Sequence, residues 1–438
     1  EINGWIRIST RLLVPKGSYY LRAILAASGL MAKFDDGQIE KSYDVTEIDD
    51  EFIGDKILPE RFLTAQIGFK ENKVKKFTGF IDSIKPNIKG DTINIHAYDM
   101  SDKIKNIKIS SELMQDMRAD ELIAYLADYC GIDETKRSLE VGSHIVAYAW
   151  FADASAWTYM NQIAEAEGGR IFFDEAGILT FWNRDSVAYQ EITPVYAFTL
   201  DNNMLNINYD VSRSNIKNKI SVMAYPKTLL DNTVIYDDEL ATEIKAGETN
   251  EFWCQFSHGS ESSVPAINVA QPVIGVDILA NSEADGSGYN MASYIEIASD
   301  YLFAESYRLN LKNNYSESVY ITQVVIEGQP LVIAKKIEVI KEDLESQAIY
   351  GKQELPIENN FIDEEAFAVS LAEIKLLTKK DSRNFIEIEA IGAPHLQVGD
   401  VVSVESGFDK IVNNYRIVRN REQLIGDYMQ TLTLERKL

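Results

Sequence analysis

The chain has 438 residues, 45% of them hydrophobic and 25% charged, the balance of a folded protein with room for roughly two to four domains. No apolar run approaches the roughly 20 residues of a helical membrane span. The 43 basic and 68 acidic side chains give a net charge of −25, a surface that repels nucleic-acid phosphates instead of gripping them, and two cysteines, Cys130 and Cys254, are too few for a disulfide framework.

Residues 1–110 read as strands. Ile6 and Ile8 alternate with Arg7 and Ser9, and Leu63, Ala65, Ile67 and Phe69 alternate with polar partners. After a polar turn come Phe77-Thr-Gly-Phe-Ile-Asp-Ser-Ile84 and Thr92-Ile-Asn-Ile-His-Ala-Tyr98. Period-two alternation between turn residues predicts half-buried strands. Gly79 suits a bulge or a close backbone approach. Residues 20–29 fit either helix or strand. This stretch is nearly charge-balanced, with 17 basic and 16 acidic residues.

The next ninety residues are acidic and change period. Leu122, Ile123, Leu126 and Tyr129 share one helical face, and Gly131 is a suitable stop. A second helix fits 155–167, capped by Asp153 or Ser155, with Trp157, Met160, Ile163 and Ala164 as its apolar stripe and Gly168-Gly169 at its end. Residues 170–174 and 178–183 then predict a hairpin. Strands are expected at 204–209 and 218–225. Residues 246–340 hold many short strand-like runs, among them 252–256, 307–311, 319–326 and 331–334, which suggest a β-sandwich. The final quarter opens with Ser346-Gln-Ala-Ile-Tyr-Gly-Lys-Gln-Glu-Leu-Pro-Ile357, followed by a helix at 363–377. Four short runs rich in Val, Ile, Leu, Thr and Tyr follow, separated by Gly392-Ala-Pro394, Gly399-Asp400, Asn413-Asn414 and Gly426-Asp427. One helix against such strands predicts a small barrel or curled sheet.

No catalytic constellation emerges. The chain has no Gly-x-Ser-x-Gly elbow, phosphate-cradling glycine loop or His-Glu-x-x-His pair. His96, His144, His258 and His395 lack ligand spacing, and no Cys/His cluster fits zinc. Glu283 and Asp285 share a glycine-rich loop but lack the further carboxylates of a calcium loop. Cys130, at a helix end, reads as a buried thiol. Trp150, Trp157, Trp182 and Trp253, with Tyr301, Tyr307 and Tyr320, are the candidates for a sugar platform, but their positions in helical and strand-like segments favour core packing. No catalytic, cofactor-binding or metal-binding residue is assigned, and no cofactor is expected.

Three stretches carry a resemblance. The first is Gln-Ile-Gly-Phe…Phe77-Thr-Gly-Phe-Ile-Asp82…Ile-Asn-Ile-His-Ala-Tyr-Asp99. The second is Ala156-Trp-x-x-Met-x-x-Ile-Ala-Glu-Ala-Glu-Gly-Gly-Arg-Ile-Phe-Phe-Asp-Glu-x-Gly-x-Leu-Thr-Phe-Trp-Asn-Arg184. The third joins Tyr350-Gly-Lys352, a helix, Leu396-Gln-Val-Gly-Asp-Val-Val402 and a Tyr-rich hairpin. Their order resembles the trimeric baseplate-hub and tail-tip proteins of phages and phage-tail-like bacteriocins.

The resemblance implies a mainly β (α+β) fold with two tube-forming antiparallel β-barrel domains, a helix–hairpin module and an inserted β-sandwich. The implied boundaries are 1–110 for the first tube domain, 111–199 for the module, 200–245 with 341–438 for the second tube domain, and 246–340 for the insertion. The two tube domains are expected to share one fold.

The function implied is structural, not enzymatic. A homotrimer would adapt a sixfold tail tube to a threefold spike or central fibre. Its partners would be a tail tube or distal tail protein, the spike or fibre and the tape-measure protein, with DNA passing through the lumen without specific binding. Its place would be the phage tail of a virion assembled in the bacterial cytoplasm. Two alternatives stay open: the structural head of a tail-associated cell-wall hydrolase, or a host carbohydrate-binding tail protein.

Overall fold

The computed structural model describes residues 20–27, 30–31, 59–69, 72–87, 92–184, 193–209, 216–380, 385–405, 411–425 and 427–436. Ile6 and Ile8 lie outside the described residues. Strands dominate the remainder, and the ambiguous stretch at 20–29 resolves as strand Tyr20–Ala27.

The C-terminal sheet has six strands in the order Tyr196–Phe198, Val401–Glu405, Val412–Ile425, Asp427–Arg436, Phe385–Ile391, Met204–Tyr209. All neighbours are antiparallel except the first pair. Its two edge strands are joined by residues 199–203 alone, a tight turn in which Met204 N donates to Thr199 O at 3.0 Å. In a flat sheet those edges would stand five strand spacings apart, about 24 Å. The sheet therefore curls enough to bring the linked ends of its edge strands together. Alternation aims the side chains: Ile386, Ile388 and Ala390 point inward with Val402, Ile417, Leu432 and Leu434, while Glu387 and Glu389 point out.

The N-terminal sheet runs Leu30–Met31, Tyr20–Ala27, Phe62–Phe69, Asn72–Asn87, Thr92–Tyr98, antiparallel throughout. Leu63, Phe77, Ile81 and Ala97 form its small core. Gly79 is the expected close approach: a Cβ there would lie 2.1 Å from the Tyr98 carbonyl oxygen.

The two sheets share a three-strand meander. Phe62–Phe69, Asn72–Asn87 and Thr92–Tyr98 match Val401–Glu405, Val412–Ile425 and Asp427–Arg436 in order and direction, and the middle strand is longest in both, 16 and 14 residues. They part at the fourth strand. Tyr20–Ala27 pairs with the first strand of its meander, whereas Phe385–Ile391 pairs with the last. The common fold expected for the two tube domains thus extends to the meander among the described residues.

The helix–hairpin module belongs to a larger core than its own range provides. Helices Ala119–Tyr129 and Ala156–Ala166 and the hairpin Arg170–Phe173/Leu179–Trp182 pack with Lys219–Ala224, its neighbours Ile337–Glu342 and Glu354–Glu358, and helix Glu365–Lys379. Leu122, Ile123, Leu126, Met160 and Phe181 share this core with Ile220, Val222, Ile362 and Leu371. Ser155 caps the second helix, accepting from Thr158 N.

The expected segment 200–245 divides three ways. Met204–Tyr209 joins the C-terminal sheet, Lys219–Ala224 joins the middle core, and Thr233–Ile244 pairs with Val319–Ile333 in the insertion. The physical reason is that alternation sets which face of a strand is buried, not which strand it pairs with. The insertion therefore opens at Lys227, which pairs with Ile333, and closes where Ala334 N donates to Pro226 O at 3.0 Å. Its two sheets, one around Val319–Ile333 and one of Thr249–Gln255, Ser306–Asn313 and Ile295–Leu302, face each other across Ile235, Cys254, Phe256, Leu309, Ile321 and Val324. That is a sandwich.

Gly399 offers a direct test of the packing. Its φ is 104°, and a Cβ would stand 2.4 Å from the Trp182 ring. Gly247 has φ 77° with open space around it. Gly399→Ala is expected to lose about 3 kcal/mol from combined strain and overpacking, and Gly247→Ala about 1 kcal/mol from strain alone. Denaturant unfolding of both variants measures the difference, and equal losses would contradict the placement of Trp182.

Candidate functional site

Several residues of the three resembling stretches come together where the two outer sheets meet. Strand Asn72–Asn87 carries Lys76 to the C-terminal sheet, and its Nζ lies 2.8 Å from Glu422 Oε1, with the two side chains only 8% and 15% exposed. Lys76 also donates to the Leu396 carbonyl. The same Glu422 oxygen accepts from Asn420 Nδ2 at 2.8 Å and Gln430 Nε2 at 3.0 Å. Gln430 is buried and in turn accepts from Ala393 N at 2.7 Å. Burial and the neighbouring Glu422 push the Tyr428 hydroxyl far above the ordinary range, so it stays a neutral phenol covering Gly392, where a Cβ would strike its ring.

The hairpin closes the seam. Thr78 Oγ1 donates to the Glu175 carbonyl at 2.8 Å, and Gly177, at φ 78°, brings the turn onto the Thr78 methyl. Burial raises the Glu175 carboxyl. At the other end Arg170 pairs with Glu435, and Trp182 lies over Gly399. Gly399 N donates to Ile417 O at 2.8 Å and Gln397 N to Asp400 Oδ2 at 2.8 Å, which explains the Leu-Gln-Val-Gly-Asp run as a tight turn built under an indole. The seam offers fixed geometry around Glu422, while Asn420 Oδ1 and the Tyr428 hydroxyl are buried without a hydrogen-bond partner.

The candidates from the sequence are scattered by the fold. His96 sits half-buried on Thr92–Tyr98 and His258 pairs with Glu261. His395 packs edge-on to Tyr196. His144 is buried, stacked on Phe367, with Nε2 3.0 Å from Asp363 Oδ1. Asp285 is occupied by Ser287, which donates to it from both N and Oγ. Among the described residues no group of three or more His, Cys, Asp and Glu is placed to hold a metal. Burial pushes the Cys130 thiol up to about 11 and the Cys254 thiol up to about 12. Trp157 stacks on Phe173 and Tyr307 is buried, as expected of core residues. Trp253 and Tyr301 depart from that expectation, at 54% and 49% exposed, because both fall on the outward face of their strands.

Sequence reasoning missed Lys227, at the root of the insertion. Its Nζ donates to the carbonyls of Tyr148 and Asn360, each at 2.8 Å, beside the Trp150 ring. Trp150 Nε1 donates to Glu305 Oε1 at 2.8 Å. Burial pulls the ammonium down to about 8, although the Asp363 carboxylate opposes the shift. Burial also works against the charge on Asp363, but hydrogen bonds from His144 and Ala147 outweigh it and hold that carboxyl below its usual range. A lone Lys after Pro226 has no periodic signal, so only the fold reveals it.

No protein-family model matches the chain, and no curated protein matches it. Solved structures are similar to it. The 43 kDa tail protein of prophage MuSo2 from Shewanella oneidensis aligns at a TM-score of 0.48 and 11% identity, over 87% of this chain and 85% of that one. A tail protein from Neisseria meningitidis MC58 aligns at 0.48 and 10%, over 85% and 83%. Prophage tail protein gp18 from Listeria monocytogenes EGD-e aligns at 0.40 and 9%, over 86% of each chain.

Two outcomes are expected at these sites. Lys76→Met or Glu422→Gln alone should cost about 3 kcal/mol or more, since each leaves a buried charge unpaired, while the double variant Lys76→Met/Glu422→Gln should recover most of it. Urea titrations of the four proteins form the cycle, and additive losses would show the pair uncoupled. For Lys227, the folded chain releases the proton near pH 8 and the unfolded chain near its ordinary 10.5. Stability relative to Lys227→Met should therefore rise with pH through that window, by up to about 3 kcal/mol. Titrations at about pH 7 and about pH 10 read the change.

Proposed function

We propose that this chain is a structural tail protein, a hub or tail-tip component acting as a homotrimer. The observation that carries the reading is where the motif residues sit. Thr78, Gly177, Trp182 and Gly399, drawn from the three stretches that resemble hub proteins, make close contacts between two β-sheets and one hairpin. Each copy would present two similar meanders, so three copies would offer a sixfold tube six related surfaces. The partners would be a tail tube or distal tail protein on one side, a spike or central fibre on the other, and tape-measure protein and DNA in the lumen. The divisions at 227 and 334 would separate an outward insertion from the tube-forming body.

A net charge of −25 supports a channel through which DNA slides without adhering. Light scattering of the purified chain is expected to give three copies in a closed ring, since a tail axis demands heterologous contacts that close. Monomer alone at high concentration, or a ring of another number in particles, would overturn the reading. Micromolar DNA binding that weakens steeply with salt would overturn the passive lumen. Reproducible clearing of bacterial cell walls in a zymogram would favour the hydrolase alternative.

A further inference from the structure

Alone among the aromatic residues considered as a platform, Trp253 and Tyr301 share an exposed face. Strand pairing sets Trp253 opposite Arg308 and Arg308 opposite Tyr301, so one row crosses the three strands of this sheet of the insertion. The intervening positions Phe252, Cys254 and Leu309 point the other way, into the sandwich core. The two aromatic rings are two strand spacings apart, about 10 Å.

Several features hold the row ready. The Trp253 indole donates to Glu251 Oε1 at 2.7 Å and stacks on Phe303 at an interplanar angle of 15°. Its orientation is set before any ligand arrives, which lowers the entropy lost on binding. The Arg308 guanidinium fills the gap, 4.2 Å from the Tyr301 ring centre and 5.6 Å from that of Trp253. Its Nε is buried without a hydrogen-bond partner. The adjoining row, Glu251, Asn310 and Ser299, is polar.

We propose that this face binds a neutral glycan, with pyranose rings lying on Trp253 and Tyr301 and hydroxyls meeting Arg308, Glu251 and Asn310. The mixture selects the ligand class. Flat apolar planes suit the C–H faces of sugar rings, and a carboxylate, an amide and a guanidinium suit hydroxyls as acceptors and donors. A polyanion would meet Glu251 and a chain of net charge −25, which disfavours nucleic acid and phosphate-rich polymers. A purely apolar partner would leave the polar row unpaired. This site goes beyond the tail reading and does not depend on it, since it lies wholly within the insertion.

The test uses the full chain on an array of neutral oligosaccharides of glucose, galactose, mannose and N-acetylglucosamine, followed by titration of the best probe against Trp fluorescence. Binding to at least one probe is expected. Trp253→Ala and Tyr301→Ala should each weaken it by roughly tenfold or more, while Tyr289→Ala, an exposed aromatic elsewhere, should leave it unchanged. No binding across the array would overturn the proposal, as would binding indifferent to both substitutions. If Trp253→Ala instead abolished self-association of the chain, with no glycan bound by the wild type, the face would be an interface between copies. Light scattering on the same samples separates that result from a failure of ring formation itself.

Discussion

The five residues between Phe198 and Met204 impose a constraint on which much of the C-terminal half depends. They tie together strands at opposite edges of one sheet. Six strands cannot satisfy so short a link unless the sheet bends through most of a circle. Curling then gives the sheet an inside narrow enough for Phe198, Leu396, Val402, Ile417 and Leu432 to fill. It also turns the outer rim of strand Val412–Ile425 toward the N-terminal sheet, where Glu422 meets Lys76. A longer connection would permit a flatter sheet and no fixed place for that contact.

Local periodicity made most elements readable before the fold was known. The helix at 155–167 was visible in its stripe and in Ser155, and the structure forms it over Ala156–Ala166 with Ser155 as its cap. The hairpin at 170–183 and the strand Phe385–Ile391 follow the same logic. Assembly was less readable. Met204–Tyr209 and Lys219–Ala224 are both expected in one segment, yet one joins the C-terminal sheet and the other the middle core. The runs 319–326 and 331–334 are expected as separate strands, but the backbone continues through Gly328 as one strand, Val319–Ile333, because partners on both sides hold it extended. Pairing between distant segments is a property of the whole chain, and no window of residues contains it.

The seam was legible in part for a related reason. Gly79 announces itself in sequence as a place of close approach, and Gly169 and Gly399, expected as a helix end and a turn, are also sites where a Cβ would meet a carbonyl or an indole. What each glycine approaches is invisible from the sequence. Lys76 stands among Lys73, Lys75 and Lys85 with nothing to mark it as the buried one. Trp253 carried the opposite ambiguity, since a tryptophan in an alternating strand fits the core as well as it fits the surface. The register of three strands decides it, by placing Cys254 inside and Trp253 outside.

A buried ion pair is an uneconomical way to glue two sheets, because desolvation offsets most of the attraction. Apolar side chains of similar volume would hold as firmly. They would also tolerate a slip of the strand, since one methyl contact resembles the next. Glu422 is less forgiving: Lys76, Asn420 and Gln430 all address one oxygen, and Gln430 is itself fixed by Ala393 N. Only one alignment of strand Asn72–Asn87 against strand Val412–Ile425 satisfies them together. If copies of the chain close a ring, any error in that angle repeats in every subunit and prevents closure. A polar lock that gains little stability but admits a single geometry would suit the closed ring proposed above, in which every subunit must repeat one angle.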